Sequence, residues 1–306
     1  MEENNELYKA LEELNKEKYV LKNSKEYKIG NNIKETLVLL FKLKFNKLFK
    51  NISNKKAKKK IYKRYYNPDN FEYLENNVDY KDVKIAIYTC IIGNYDNIQI
   101  PLVKFDNVDY YILTDDVSRY EKYSSYYIIK EIPKDILAKN KIEANRYVKF
   151  HPFVFFKEYD FSIYLDGNVR IISDIRTFVK RCSDITGIAM HIHRERNDIY
   201  DEAKVCELLK RGNLVKIKEQ MKSYREQGFP EKYGMNEATI IVSDLHNEKS
   251  INLLDEWYNE FIRSESLRDQ LAWPYILWKN NYRITDVGIL GNNIYENYKV
   301  EMVRHK

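Results

Sequence analysis

The chain has 306 residues, 44% of them hydrophobic, a size that predicts one large domain or one domain with a helical appendage. Three widely spaced cysteines, Cys90, Cys182 and Cys206, exclude a disulfide scaffold and a cysteine-built zinc site, and they suit a reducing compartment. The net charge of +6 is uneven, because residues 1–70 hold 18 Lys and Arg against 9 Asp and Glu, whereas the remainder holds 34 against 37. The slightly negative net charge of residues 71–306 disfavours nucleic-acid binding by that part of the chain, because such binding needs a positive surface.

The first predicted elements form a helical, basic extension over residues 1–70. Leucines at helical spacing within residues 3–23 predict a short amphipathic helix that pairs as a coiled coil, and residues 24–32 break the pattern. Residues 33–64 then interleave apolar positions with eleven Lys and Arg between 42 and 64, without one acid in that basic stretch. Such a segment suits attachment to an anionic membrane surface. The alternatives are that it packs on the main domain or on a partner, or that it binds nucleic acid.

The expected location follows from two further features. No apolar run reaches the roughly 18–20 residues that a membrane-spanning helix needs. The first six residues include Glu2, Glu3 and Glu6, which is not typical of a secretory signal. We therefore expect a cytoplasmic protein that attaches peripherally to the inner face of the plasma membrane through residues 33–64.

Residues 71–306 form the predicted main domain, in which strand and helix patterns alternate. Apolar runs predict strands at 83–92, 109–114, 126–132, 161–165, 187–193 and 238–243. Helical patterns fill 139–158, 199–211, 214–227, 248–263 and 268–280. This alternation predicts an α/β fold with a mostly parallel sheet flanked by helices.

The carboxyl ends of the predicted strands are the place to look for a ligand site. Gly93 stands alone after the first strand, so no G-x-G-x-x-G follows it, and neither G-x-x-x-x-G-K-[ST] nor G-x-S-x-G occurs in the sequence. Asp166-Gly167-Asn168 follows the strand at 161–165. A carboxylate and an amide oxygen there can hold a divalent cation that bridges a nucleotide diphosphate, although the same residues suit an ordinary turn.

Five sequence blocks carry a resemblance to a known family. They are 145–152 (Asn-Arg-Tyr-Val-Lys-Phe-His-Pro), 159–168 (ending in Leu-Asp-Gly-Asn), 188–203, 220–230 and 268–279. In this order they resemble the glycosyltransferase-like family once known as a domain of unknown function, which includes plant mucilage- and turgor-related proteins and bacterial capsule-locus proteins. The resemblance covers roughly residues 83–285.

The resemblance implies a GT-A-like (Rossmann-like) fold similar to that of family 8 glycosyltransferases. It also implies transfer of a sugar from a nucleoside diphosphate, with a UDP-sugar favoured, to a glycan or lipid-linked acceptor in capsule or cell-surface polysaccharide synthesis. Family 8 enzymes carry D-x-D where this chain has Asp166-Gly167-Asn168, so the second ligand of a Mn²⁺ or Mg²⁺ ion would be an uncharged amide. Some plant relatives are connected with ceramide hydrolysis, which leaves a metal-dependent lipid-amide hydrolase as an alternative, and a non-catalytic glycan-binding protein is another.

The resemblance and the strand-end rule together assign expected roles to individual residues. Nucleoside contacts are expected from Thr89, Tyr95, Asp96 and Asp115, and charge compensation for the diphosphate from Arg146, Lys149, Arg194 and Arg196. The expected metal ligands are Asp166, Asn168 and His305, the last by analogy with a late histidine of family 8. Polar roles beside the reacting sugar or acceptor fall to Asp269, Gln270, His191 and His193.

Each assignment has a structural alternative. Arg146 and Lys149, three residues apart on a predicted helix, share a face and could pair with acids of the helix surface instead. Asp115 and Asp269 could cap helices. His191 and His193, two apart on a strand, share a side and could hold a metal or simply satisfy strand-end hydrogen bonds.

Overall fold

The computed structural model describes residues 75–304, except 106 and 292, and parts of the stretch from 13 to 30. Contacts divide the chain into two units, Met1–Tyr66 and Asn67–Lys306. The predicted basic segment 33–64 and the predicted boundary near residue 70 lie outside the described residues. Within the described residues, no helix is both long enough and apolar enough to cross a membrane.

The described part of the first unit is helical on both sides of Ser24. Residues 13–14, 17–18 and 20–21 are helical, and so are residues 25–27 and 29–30, where the sequence pattern had predicted a break. The hydroxyl of Ser24 accepts a hydrogen bond from the backbone N–H of Tyr27 at 3.1 Å. This is the capping bond that allows a new helical turn to begin, so among the described residues the break falls at Ser24 and does not extend over 25–27 and 29–30.

The second unit contains a seven-stranded sheet and a two-stranded sheet within the described residues. The strands are β1 (Ile85–Ile91), β2 (Val108–Thr114), β3 (Ile128–Glu131), β4 (Phe161–Leu165), β5 (Val169–Ile171), β6 (Ile188–Ile192), β7 (Asn236–Asp244), β8 (Gly288–Ile289) and β9 (Val300–Met302). The larger sheet has the order β3-β2-β1-β4-β7-β6-β8, and β5 pairs with β9. All six strands predicted from apolar runs are present.

The larger sheet is parallel except at β7, which runs antiparallel to both of its neighbours, β4 and β6. The other described pairs, β1 with β2 and β4, β2 with β3, and β6 with β8, are parallel. The prediction of a mostly parallel α/β fold is confirmed, and the sheet is consistent with a GT-A-like arrangement. Because β7 is reversed, its first residues lie at the sheet edge where the parallel strands end.

Seven α-helices accompany the sheets in the described part of the chain. They are α1 (Lys134–Leu137), α2 (Lys141–Phe150), α3 (Pro152–Phe155), α4 (Ile199–Leu209), α5 (Leu214–Glu226), α6 (Glu248–Ser264) and α7 (Asp269–Lys279). Short 3-10 helices cover Val117–Tyr123, Ile175–Arg181, Ile284–Asp286 and Ile294–Glu296.

The single helix predicted over 139–158 is wrong, because it is interrupted at His151. Pro152 has no backbone N–H and disfavours the helical conformation of the residue before it. His151 accordingly has φ −119° and ψ 49°, which ends α2, and α3 starts with Pro152 at its first position. The break keeps α2 short, with Lys149 in its last turn.

Both faces of the larger sheet carry a hydrophobic core. On one face, residues such as Tyr88 and Tyr164 pack with α2, α6 and α7, and the rings of Trp257 and Trp273 lie 4.5 Å apart at its centre. A smaller cluster on the other side of β1 and β2 includes Ile91 and Ile112. The larger core therefore holds α2 and α7 against the sheet, which is what positions the site.

A hydrogen bond between Trp273 and Asn236 ties α7 to the start of β7, since the indole N–H donates to the amide oxygen at 3.0 Å. Both residues are buried, so removal of either partner leaves a polar atom without its bond, at a cost of about 1–3 kcal/mol. We expect Trp273→Phe and Asn236→Ala to be coupled by about 1 kcal/mol in a double-mutant cycle of urea unfolding. The control pair, Trp278→Phe with Asn236→Ala, should be additive, and equal coupling in both cycles would contradict the bond.

Candidate active site

The carboxyl ends of β1, β2 and β4 meet at one edge of the larger sheet. Both carboxylate oxygens of Asp115, after β2, accept the backbone N–H of Gly93, after β1, at 3.1 and 3.0 Å. A Cβ atom placed on Gly167, after β4, would lie 2.9 Å from Ile91 and 3.3 Å from the Cβ of Asp96. Glycine at 167 thus permits the close approach of the β1 and β4 loops, and three of the predicted segments share one neighbourhood.

Asp166 is the first residue beyond β4 and presents a partly exposed carboxylate at this edge. The hydroxyl of Tyr164, two residues earlier on the same face, donates to Oδ1 of Asp166 at 2.9 Å. The ammonium of Lys149 lies 3.9 Å from the same oxygen. The Asp166 side chain is 35% exposed, so a ligand can reach it.

Asp269, the first residue of α7, is buried between two cations of α2. Its Oδ2 lies 2.9 Å from Nε of Arg146 and 3.1 Å from Nζ of Lys149. Burial alone would raise the pKa of this carboxyl, but the positive charges of Arg146, Lys149 and Arg268 outweigh burial and hold the pKa well below its usual range. The carboxylate is therefore fixed in its charged form, and the predicted shared face of Arg146 and Lys149 is present.

The residues predicted to contact the nucleoside differ in exposure. Thr89 and Asp96 are buried, whereas Tyr95 is 72% exposed. Thr89 lines a narrow cleft with Tyr127, Asp166 and Gly167, and its hydroxyl has no hydrogen-bond partner among the described residues. The cleft has a volume of about 10 Å³, which is room for one water molecule, and a water there could hydrogen-bond to the Thr89 hydroxyl.

His191 and His193 hydrogen-bond to different parts of the chain. Nε2 of His191 lies 2.9 Å from the side-chain amide of Asn297. Nδ1 of His193 accepts the backbone N–H groups of Glu195 and Arg196 at 3.2 and 3.1 Å. Burial lowers the pKa of each imidazole to about 3, so both rings are neutral at neutral pH. Both histidines are hydrogen-bonded at the strand end, and a role toward the sugar or the acceptor stays a prediction.

The two arginines after β6 also differ. Arg194 is exposed, with its guanidinium 5.3 Å from the centre of the Tyr295 ring. Arg196 is buried and forms an ion pair with Glu202 of α4, which lies 3.5 Å from Arg268 as well. A role for either arginine toward a diphosphate stays a prediction, and the guanidinium of Arg196 is already engaged.

Glu237 is a site residue that the sequence reasoning missed. Its side chain lies at the edge near Asp166 and Lys149, with Oε2 3.9 Å from Nε2 of His193. Burial raises the pKa of this carboxyl to about 7, and the negative charge of Glu202 adds to the increase. The predicted strand began at 238, and nothing in the sequence showed that this strand runs antiparallel, so Glu237 was not placed at the ligand edge.

Gln270 faces the same strand start rather than open solvent. Its side-chain amide donates to the backbone oxygen of Asn236 at 3.1 Å, and it is 8% exposed. Trp273 of the same helix hydrogen-bonds to the side chain of Asn236, so two residues of α7 fix the beginning of β7. Gln270 positions the strand that carries Glu237.

Asn168, one of the predicted metal ligands, lies at the junction of the two sheets. The side-chain amide of Asn168 donates to the backbone oxygen of Val303, and the N–H of Val303 donates to the backbone oxygen of Asn168, both at 2.9 Å. His305 lies outside the described residues. Among the described residues, no three His, Cys, Asp or Glu side chains gather closely enough to hold a metal ion, a criterion that counts neither Asn168 nor His305.

Comparisons with solved structures return glycosyltransferases at low similarity. Mouse xyloside xylosyltransferase 1, in its apo form, is 10% identical, covers 68% of this chain and 85% of its own, and has a TM-score of 0.43. The apo structure of the bifunctional glycosyltransferase WbbM is 15% identical, covers 71% of this chain and 40% of its own, and has a TM-score of 0.39.

A curated protein matches only a short segment. The Ras-related protein RABG3b of Arabidopsis thaliana is 40% identical over 48 residues, which is 16% of this chain. The chain spans 24% of the length of that relative.

The family comparison covers far more of the chain. The family described as "TOD1/MUCI70, glycosyltransferase-like domain" matches residues 62–304. That range contains β1 to β9 and every candidate site residue except His305. The chain belongs to the TOD1/MUCI70 glycosyltransferase-like family.

Proposed function

We propose that this protein transfers a sugar from a nucleoside-diphosphate donor, most simply a UDP-sugar, to a glycan or lipid-linked acceptor of a capsule or another cell-surface polysaccharide. The observation that carries the proposal is the charged cluster of Asp166, Arg146, Lys149 and Asp269 at the carboxyl edge of the sheet. Two fixed cations beside a reachable carboxylate suit the binding of a diphosphate and the stabilisation of its charge as it departs. Family membership supports glycosyl transfer as the reaction class.

The donor would lie along the sheet edge. The nucleoside would lie on the surface at the ends of β1 and β2, where Tyr95 is exposed and Asp115 follows β2. The diphosphate would lie at the end of β4, with Arg146 and Lys149 offsetting its charge. Asp269 holds both cations in place and is a positioning residue in this mechanism, because its carboxylate is occupied by them.

A divalent cation is a further part of the proposal. Asp166, Asn168 and His305 would hold Mn²⁺ or Mg²⁺, which would supply positive charge to the departing diphosphate. The donor set is chemically suited, because carboxylate and amide oxygens bind hard cations and histidine binds Mn²⁺. The two hydrogen bonds between Asn168 and Val303 hold Asn168 in place two residues after Asp166.

No observation favours the lipid-amide hydrolase. That alternative needs His191 and His193 to hold a zinc ion together, yet Nε2 of His191 is bonded to Asn297, and Nδ1 of His193 accepts two backbone N–H groups. The described residues supply no group of three conventional zinc ligands around either histidine.

Nucleotide binding gives the direct test of the proposal. At about 100 times its Kd, a nucleotide stabilises the fold by roughly 2.7 kcal/mol, and each kcal/mol raises the Tm of a domain of this size by about 2–4 °C. We expect UDP with Mn²⁺ to raise the Tm of the wild type by several degrees, more than GDP or CMP does. The increase should be absent in Asp166→Ala and unchanged in Asp184→Ala, an exposed aspartate of another loop.

The same assay with EDTA tests the cation separately. Loss of the UDP shift on chelation supports the Asp166, Asn168 and His305 site. If the Tm shift with UDP persists in EDTA, the metal ion has no part in nucleotide binding, and charge compensation is left to Arg146 and Lys149. No shift with any of the three nucleotides would contradict the proposed function.

Membrane attachment through residues 33–64 is tested with vesicles. Each lysine near an anionic surface contributes about 1 kcal/mol, so we expect the full chain to co-sediment with vesicles containing phosphatidylserine at low salt and to be released at high salt. Replacement of Lys55, Lys56, Lys58, Lys59 and Lys60 by glutamine should weaken binding by more than about 100-fold. Equal binding to uncharged phosphatidylcholine vesicles would show that the basic segment does not act through charge.

A further inference from the structure

Glu237 lies at the same edge of the sheet as Asp166. In the antiparallel register, Tyr164 of β4 lies opposite Ile241 of β7, and the N–H of Asp166 donates to the backbone oxygen of Thr239 at 3.0 Å. Toward β6 the register shifts, because Met190 lies opposite Ile241 whereas His191 lies opposite Glu237. Glu237 is therefore placed by its neighbours, since its carboxyl is close enough to Asp166 and Lys149 to interact electrostatically with both.

The carboxyl of Glu237 differs from the other carboxyls of the site in its partners. Thr239 donates its hydroxyl to Oε1 at 3.2 Å, and the imidazole of His193 lies 3.9 Å from Oε2. Within the part of the chain that the structure describes, no lysine or arginine forms a salt bridge with Glu237, whereas Asp269 has two such partners. The side chain is still 22% exposed, so a ligand at the edge can reach it.

Four cations of the site form salt bridges with carboxylates other than Glu237. Arg146 and Lys149 pair with Asp269, and Arg196 and Arg268 pair with Glu202. A phosphate or a sugar carboxylate beside Glu237 would meet a second negative charge that no described salt bridge neutralises, which is unfavourable in a partly buried site. A hydroxyl group meets no such penalty, and it can donate to a carboxylate oxygen.

The order of the strands places the sugar beside Glu237. A donor whose nucleoside lies at β1 and β2 and whose diphosphate lies at β4 runs along the edge toward β7, the next strand in the sheet. Neighbouring strands lie about 4.8 Å apart, so the group attached to the diphosphate comes next to the start of β7. That group is the sugar to be transferred.

We propose that Glu237 accepts a hydrogen bond from a hydroxyl group of the donor sugar and so selects an uncharged, hydroxyl-bearing sugar. The inference rests on the proposed function, because it needs a nucleoside-diphosphate sugar at this edge. Glu237 is then a specificity-determining residue: it contributes to the binding of the sugar and contributes little to the binding of the nucleotide. Asn236 and Gln270 act through it, since they fix the backbone at the start of β7.

The test separates sugar binding from nucleotide binding by isothermal titration calorimetry with Mn²⁺. Titrations with UDP, UDP-glucose, UDP-galactose, UDP-N-acetylglucosamine and UDP-glucuronate are run at pH 8, where a carboxyl with a pKa of about 7 is mostly ionised. Wild type, Glu237→Ala and Glu237→Gln are compared, with Glu207→Gln, an exposed glutamate of α4, as the matched control.

In the wild type, at least one uncharged UDP-sugar is expected to bind more tightly than UDP, and more tightly than UDP-glucuronate. A hydrogen bond to a charged group is worth about 1.5–3 kcal/mol, so Glu237→Ala should lose about tenfold to a hundredfold of the affinity for that sugar nucleotide. Its affinity for UDP should stay within about twofold. Glu237→Gln, which keeps an acceptor oxygen without the charge, should fall between the two, and Glu207→Gln should match the wild type.

The other outcomes overturn the inference in distinguishable ways. Equal losses for UDP and for the UDP-sugar would mean that Glu237 only supports the fold, and no loss for either would mean that it does not contact the ligand. If the wild type binds UDP-glucuronate as tightly as the best uncharged UDP-sugar, Glu237 does not select the sugar by its charge. If the wild type binds neither UDP nor any of the four sugar nucleotides, the result contradicts the proposed UDP-sugar reaction, and with it the role of Glu237 that depends on that reaction.

Discussion

The ion pairs of Asp269 with Arg146 and Lys149 hold the site together. Three charges lie where little water reaches them, and a buried charge that loses its partner costs about 3–5 kcal/mol, so none of the three can leave alone. The pairs join the last turns of α2 to the first residue of α7, more than a hundred residues apart in sequence. Through Lys149 they also reach Asp166, so the end of β4 has a fixed electrostatic environment.

The reversal of β7 determines what lies on the far side of Asp166. Had β7 been parallel, its carboxyl end would have met the edge and residues 236–237 would lie at the opposite one. Instead the strand starts at the site, and α7 fixes that start through Gln270 and Trp273. The same helix carries Asp269 and also holds the start of β7, where Glu237 lies. The distance between the two carboxyl groups is therefore fixed by α7.

Much of this arrangement follows from local sequence patterns. The apolar runs predicted the six strands because buried strands need them, and the spacing of Arg146 and Lys149 predicted a shared helix face. The pattern could not reveal strand direction, which depends on pairing with β4 and β6, so Glu237 was missed. The sequence did not predict β5 and β9, because strands of three residues show no periodicity. Pro152, by contrast, was an available signal that the long predicted helix would break.

The carboxyl groups of the site fall into two kinds that differ in their ion-pair partners and in their exposure. Asp269 and Glu202 are each held by two cations, and such carboxylates act by fixing positive charge in place. Asp166 and Glu237 are the more exposed of the four, and both lie at the edge of the sheet where the parallel strands end. A ligand that reaches this edge therefore meets two partly exposed carboxyls, whereas the two carboxylates that are paired with cations are buried.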